Sequence, residues 1–310
     1  MYCKLYREKQ VMKVLLSIRA LLLICSCIAF PAIAEELTVI YSPSPVSQDD
    51  KRFDYGINLL QQVLEKTISS YGPFKMLPAE NMNVGRAIEF LIKEDAETVN
   101  VVWSTTSQNR EKSLLPIRIP IRKGLLGYRV FLIKKENQAK FDNIKTVEEL
   151  KKLKVGQGHI WNDVKVFKEN GFDVVTGPDY EGLFRMLAED RFDYFSRGFN
   201  EAPEEYEARK DMLPSLSIEE TILLYYPWPK YFFTSKNNPL IAKRIELGLK
   251  IMIQDGTFEE IFKKYHKKDI ERVNLKNRKL FKIINPLLPS KTPFDQKELW
   301  FDPVDSLSAL

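Results

Sequence analysis

The chain has only three cysteines, Cys3, Cys25 and Cys27, and no thiol after them. Beyond residue 27 this excludes disulfides, thiolate nucleophiles, Cys-ligated zinc and iron–sulfur clusters together. Histidine is almost as scarce, with only His159 and His266. A His-rich metal site or a Ser-His-Asp hydrolase therefore has very few candidates. No cofactor and no metal are expected, and the composition leans away from catalysis. Long apolar runs are also missing: the longest, Ala20 to Phe30, is about 11 residues, where a spanning helix needs roughly 20. Neither sign of charge dominates once the first 34 residues are set aside. They hold five basic side chains (Lys4, Arg7, Lys9, Lys13, Arg19) and one acidic one (Glu8). Removing them from 47 and 42 leaves 42 basic and 41 acidic residues, a net charge near +1. Nucleic-acid binding is disfavoured by that balance. What the chain does have is 44% hydrophobic and 12% aromatic residues over 310 positions, enough for one large core or two ordinary ones, which excludes disorder as the whole answer.

The first 34 residues read as a signal peptide: a cationic start, the apolar run ALLLICSCIAF, and Ala32-Ile33-Ala34 as a small-x-small cleavage site before Glu35-Glu36. The expectation is an exported, periplasmic, soluble protein beginning at Glu35. Met12 is an alternative start, since the signal reads better from there. Lipidation at Cys25 or Cys27 is a weaker alternative, because Ile precedes the first and Cys-Ser the second.

From Glu35 short apolar runs alternate with amphipathic segments, the pattern of a parallel sheet covered by helices. Leu37 to Tyr41, Phe74 to Leu77 and Val99 to Trp103 read as strands, with helices over Tyr55 to Ser69 and Val84 to Lys93 between them. Leu125 to Ile133 reads as a long strand, after which the alternation repeats: helices at Thr146 to Leu153, Trp161 to Asn170 and Tyr180 to Glu189, strands at Val155, Asp173 to Val175 and Phe192 to Phe195. Tyr231 to Thr234 is a further strand, and the amphipathic stretch Pro239 to Tyr265 should split into two helices at Gly256. Residues 267–310, with NPLLPSKTP and little periodicity, read as an extended tail.

Four segments carry a family resemblance. Trp103 to Lys112 (WSTTSQNREK) resembles the T-x-x-R-E-K segment of bacterial family 3 extracellular solute-binding proteins. Lys145 to Gly158 resembles that family's strand entering the second lobe, Asp179 to Asp193 its helix leading into a "-GRVDA-" strand, and Tyr231 to Tyr265 its closing segment with a D-G-T-F-E-E-I turn. The resemblance covers roughly residues 36 to 268. It implies an α/β fold of the two-lobed, type II periplasmic-binding kind, each lobe a mostly parallel sheet flanked by helices, joined by two crossing segments. Lobe 1 would be 35–123 plus 226–268, lobe 2 would be 124–225, and 269–310 would be an added extension packing on lobe 1 through Leu287, Leu288, Leu299 and Trp300.

In an open α/β sheet a ligand sits beyond the carboxyl ends of the strands, here the loops after Tyr41, Trp103, Val155 and Phe195. The resemblance makes Arg110 a carboxylate grip, with Thr105 and Ser107 at the family spacing before it; guanidinium forks suit carboxylates. The plain alternative is a surface Arg110 paired with Glu111. Gly156-Gln157-Gly158-His159 offers backbone N–H groups to an anion, with Gly158 and His159 as candidates. The family usually has an acid near Ser196-Arg197-Gly198; this chain has Arg197, and Glu201 is the better substitute acid. If Arg110 and Arg197 both face the cleft unpaired, an anionic ligand is expected between them; if Arg197 pairs with Glu201 or Glu204, that expectation lapses. Trp103, Trp161 and Tyr55, with Tyr226 and Trp228 behind them, are candidate aromatic walls. Gly124 and Gly127, with Pro227 or Pro229, are candidate hinges.

These readings lead to a monomeric solute-binding protein that closes on a small polar, carboxylate-bearing or anionic ligand and delivers it to an inner-membrane ABC-type transporter permease. The alternative is a sensory module docking on a receptor ectodomain. Enzyme activity is the least favoured.

Overall fold

The apolar runs become strands and the amphipathic stretches become helices in the computed structural model, which describes residues 37–42, 53–79, 84–93 and 98–303. The expected leader and most of the loop after Tyr41 lie outside these residues. In chain order come β1 (Thr38–Ser42), α1 (Asp54–Glu65), α2 (Ile68–Tyr71), β2 (Phe74–Pro78), α3 (Val84–Ile92), β3 (Val102–Thr105), α4 (Gln108–Ser113) and β4 (Leu115–Ile117). Then follow β5 (Tyr128–Lys134), α5 (Gln138–Asp142), α6 (Val147–Leu150), β6 (Lys154–Gly158), α7 (Asn162–Glu169), β7 (Asp173–Gly177), α8 (Tyr180–Ala188) and β8 (Tyr194–Gly198). The chain continues through α9 (Ala202–Glu207), β9 (Leu216–Ile218), β10 (Ile222–Tyr225), β11 (Lys230–Thr234), α10 (Pro239–Gln254), α11 (Thr257–Arg272) and β12 (Lys279–Lys282). Among the described residues no helix is long and apolar enough to cross a membrane.

The fold is α/β, with sheets that mix parallel and antiparallel pairs. β1 and β2 pair in parallel, and β3, β11 and β4 form an antiparallel ladder. The largest sheet has the order β12-β10-β5-β8-β6-β7, with β9 also on β5. There β6 pairs in parallel with both β7 and β8, while β5 runs against β8, β9 and β10. The antiparallel pairs of the large sheet centre on β5, which follows the first crossing and pairs with β10, the strand that precedes the second.

Up to Phe258 the buried apolar side chains divide at two points, between Ile121 and Leu125 and between Trp228 and Tyr231, and beyond it Phe262, Ile270, Val273 and Leu275 join the core of the middle segment. Before and after those points Leu59, Leu60, Val63, Trp103, Phe232, Ile245 and Leu249 form one core, which we call lobe 1. Between them Val130, Leu132, Phe184, Phe195 and Leu223, with Phe131, Phe167, Tyr194 and Leu224 on the other face of the same sheet, form lobe 2. Period-2 alternation along β5 sends neighbours to opposite faces, so the strand is buried on both and reads as a continuous apolar run.

Two backbone hydrogen bonds tie the crossings to each other: Ile121 N–H donates to Lys230 O at 2.9 Å, and Tyr226 N–H to Gly127 O at 3.2 Å. A side chain at Gly127 would meet Tyr226 O at 2.2 Å, so only glycine allows this approach. Lobe 1 has its own internal staple that the sequence did not announce. Arg244, 1% exposed, donates to Gly72 O at 2.8 Å, Thr38 Oγ1 at 2.9 Å and Thr67 Oγ1 at 3.1 Å, satisfying a buried charge with carbonyls and hydroxyls rather than a carboxylate.

The C-terminal extension is not confined to lobe 1. β12 joins the lobe 2 sheet in parallel beside β10, and Phe281, Ile283 and Leu287 enter a lobe 2 core. Leu299 and Trp300 pack on lobe 1, where the Leu287 and Leu288 carbonyls also accept from Gln108 of α4, while Phe301 packs in lobe 2 with Phe262 and Ile270 of α11. The edge of β10 explains this: an unpaired strand edge next to an apolar face is satisfied by one more strand. The extension also touches both crossings, Asn285 Nδ2 donating to Pro227 O at 2.9 Å and Phe301 N–H to Lys123 O at 2.7 Å. Gly124, in the left-handed region (φ 68°), lies against the Trp300 ring, which an added Cβ would meet at 2.5 Å.

Candidate functional site

Three strand ends converge on one cleft. Thr105 closes β3, Gly158 precedes the turn into α7, and Gly198 closes β8. The cleft, of about 290 Å³, is lined by Thr105 and Leu126, by Trp161 and Asp163 at the start of α7, by Arg129, Arg197, Gly198 and Glu201, and by Trp228. The opening lies at the carboxyl end of β8, which runs parallel to β6, as ligand sites of open α/β sheets do.

Its two arginines are both engaged. Arg197 leaves β8 and is held by Glu205 of α9, Nε–Oε2 at 2.8 Å and Nη2–Oε1 at 2.6 Å, and by Glu201 at 3.2 Å. Its guanidinium also lies over the Trp161 ring at 4.7 Å. The expectation of two bare arginines calling for an anion therefore fails: Arg197 is neutralised by two carboxylates, the closer being Glu205 rather than Glu204. Burial marks the choice of acid: Glu205 is buried against Arg197 while Glu204 is exposed.

Arg129 is the residue that the sequence reading missed. It sits inside the apolar run of β5, pairs with Asp163 at 3.1 Å, and lies over Tyr226 at 5.1 Å and Trp228 at 5.4 Å. Its Nε–H is buried without a partner. A charge in an otherwise fully buried strand must be paired or used, and that rule would have singled it out. Asp163 also accepts from the Tyr226 hydroxyl at 2.5 Å.

Glu201 takes the place expected of it. One oxygen accepts from Gly198 N–H at 2.9 Å and from Arg197, and its side chain is 44% exposed, open to a ligand. Burial pushes its carboxyl up, but Arg197 and Arg129 outweigh this and hold it below the usual range. The cleft lining thus carries two cations and two anions.

The remaining sequence candidates divide. Thr105 and Trp161 line the cleft, with Trp161 stacked on Phe195 at 6.0 Å. Arg110 is off the lining: it is partly buried, and its Nη1 donates to Thr105 O. It does not pair with Glu111, whose carboxylate is taken by Arg118 at 2.6 Å and Thr106 at 2.7 Å. Burial lowers its pKa, and among the described residues no carboxylate answers it. Ser107 caps α4, accepting from Arg110 N–H at 3.3 Å. Trp103 is core rather than wall, 5% exposed with its edge on Phe232, because β3 is buried at Val102, Trp103 and Ser104 alike. Tyr55 is likewise buried, donating to Ile121 O. Gly158 lies under the Trp161 ring, which leaves no room for a Cβ, and His159 is exposed and off the lining.

No protein-family model matches this chain, and no curated protein sequence matches it. Solved structures do resemble it. An ancestral arginine-binding protein bound to arginine is 21% identical, covering 74% of this chain and 97% of that one, with a TM-score of 0.47. A Salmonella typhimurium periplasmic binding protein described for high arginine specificity is 15% identical over 74% and 98%, with a TM-score of 0.48. A histidine kinase sensor domain with similarity to periplasmic binding proteins is 17% identical over 74% and 96%, with a TM-score of 0.46.

Proposed function

We propose that the protein is an exported solute-binding protein that holds a small carboxylate-bearing zwitterion, of amino-acid size, between its lobes and presents it to a membrane transporter. The observation that carries the reading is the charge-balanced cleft walled by Trp161 and Trp228. A polyanion would find Arg197 already taken, whereas an ammonium group finds the accessible carboxylate of Glu201. The acidic end finds Arg129, and Arg110 supports the lobe 1 side of the lining from behind through its bond to Thr105 O. A volume near 290 Å³ is at the small end of ligand sites. The leader, which reads as a signal peptide, supports export.

Binding without chemistry fits the same geometry. Asp163 is fixed by Arg129 and Tyr226, and Glu201 is held ionised, so the cleft offers no protonated acid beside a free base. The test is calorimetric titration of the purified protein with amino acids, dicarboxylates and amines, repeated with Glu201→Gln and Arg110→Ala. A zwitterion should bind, and each substitution should weaken it at least tenfold. Binding of simple anions alone, or binding indifferent to both substitutions, would overturn the reading.

A further inference from the structure

Behind the cleft, where the crossings pair, lies a second group of polar side chains that zwitterion binding does not use. Arg122 belongs to the first crossing and Lys230 opens β11 just past the second; their backbones meet through the Ile121–Lys230 hydrogen bond. The Arg122 guanidinium lies 5.4 Å from the Tyr55 ring centre, and Tyr55 packs on His266 of α11 at 4.7 Å. Arg122 Nε and His266 Nε2 are buried with no partner, and His266 is 7% exposed. The Lys230 ammonium makes no hydrogen bond or ion pair among the described residues, and the residue stays partly open to solvent.

The acids nearby do not answer these groups. Glu259 is engaged by Lys123 at 2.8 Å. Asp269 makes no salt bridge with Arg122 and has its own pKa raised, by burial first, against the pull of Arg272, Lys268 and Arg122. Tyr55 spends its hydroxyl on Ile121 O. What remains is an excess of positive charge and donors in a partly desolvated setting. Burial and then Arg122 push the Lys230 ammonium down to about 7, and burial, then Arg122 and Lys230, hold His266 down to about 3. Such a group is costly unless an anion completes it.

We propose that Lys230, Arg122 and His266 form an oxyanion-binding site on the floor between the crossings, taking a carboxylate or phosphate group. β11 brings Lys230 opposite Thr105, and Thr105 lines the cleft, so the site adjoins the ligand cleft. The oxyanion is either a second acidic group of the captured ligand or a free inorganic anion. An anion here favours the charged form of Lys230 and gives the buried Arg122 N–H an acceptor, so its arrival draws a proton onto Lys230.

The test follows acetylation of Lys230 by mass spectrometry at pH 7.5 and constant ionic strength, with the other lysines as internal reference. Inorganic phosphate, succinate and glycine are the probes. Slowing of Lys230 alone by phosphate, at least fivefold, supports a free-anion site. Slowing by succinate without phosphate places the ligand's own acid there. Calorimetry with Lys230→Gln should then show loss of the protecting anion, while Glu201→Gln keeps it, so failure of the zwitterion reading and failure of this site are read separately. If none of the probes slows Lys230, or Lys230→Gln binds the same anion unchanged, the site is refuted.

Discussion

The Arg197–Glu205 pair gives a test of whether Arg197 holds the fold or the ligand. Arg197 is 8% and Glu205 7% exposed, joined by a bidentate contact at 2.6 to 3.0 Å. Glu205 also accepts from the Tyr180 hydroxyl at 2.7 Å. Removing one member of a buried pair strands the other, at about 3–5 kcal/mol. Glu205→Gln should fall at or below the low end, near 3 kcal/mol, because Glu201 still reaches Arg197 at 3.2 Å. Arg197→Met should cost about 4 kcal/mol, since it leaves Glu205 and Glu201 facing each other without a cation. The double variant Arg197→Met/Glu205→Leu replaces the pair by apolar side chains of similar length and should return to within about 1–2 kcal/mol of wild type. Urea denaturation of all four proteins yields a coupling energy of several kcal/mol as the expected result. If each single variant loses less than about 1 kcal/mol and the effects add, the pair is not structural. A stable Arg197→Met protein that no longer binds ligand would return Arg197 to the ligand site.

Two further outcomes follow from the residues where the crossings pair. Lys230→Met should stabilise the protein at pH 7 and leave it unchanged near pH 10. The folded pKa of about 7 lies below the unfolded value near 10.4, so the unfolded chain takes the proton first and the wild type loses stability as pH falls from about 10 to 7. The upper bound is about 4 kcal/mol, brought toward 2 by water at the partly exposed amine; urea melts at pH 7, 8.5 and 9.5 that run parallel for both proteins would sink it. Trp300→Ala removes a ring that packs over Gly124 and donates to Pro293 O at 2.8 Å. It should cost about 2–3 kcal/mol by analogy with partly buried aromatic truncations, and a thermal melt unchanged within a degree would show that the strap carries no stability.

Much of the fold was legible because its signals are local. The helix stripe of α1, the capping box of α6, in which Thr146 caps Glu149 N–H, and the helix break at Gly256 all follow from residues within a few positions of one another. β12 was not legible. KLFK carries two lysines in four residues, and its strand state comes from the edge of β10 more than fifty residues away, a tertiary determinant that no short window contains. The site shows the same division. Thr105, read from the family spacing, Trp161, read as an aromatic beside a loop, and Glu201 reach the cleft lining, whereas Trp103, read as a wall on the same loop-flanking ground, lies in a strand whose Val102, Trp103 and Ser104 are all buried, leaving no alternation to read. Arg129 was readable in principle as a lone charge in YRVFLI, but its partner Asp163 lies on another element and only packing joins them.

The charges of the two lobes are arranged differently, and that difference bears on specificity. On the lobe 2 wall each cation has its carboxylate before any ligand arrives: Arg129 with Asp163, Arg197 with Glu201 and Glu205. A ligand meeting that wall rearranges little, and its orientation is set chiefly by the open side of Glu201. On the lobe 1 side and at the floor the cations have no salt bridge among the described residues: Arg110 meets no carboxylate, and burial, then Arg122, lowers the Lys230 ammonium. Folding has already desolvated these groups in part, so an acidic group placed among them relieves a penalty as well as adding an attraction. A neutral analogue of the ligand would gain neither effect. Discrimination is therefore expected to come from the acidic end of the ligand, through groups that folding leaves unsatisfied, while the paired wall of lobe 2 supplies shape.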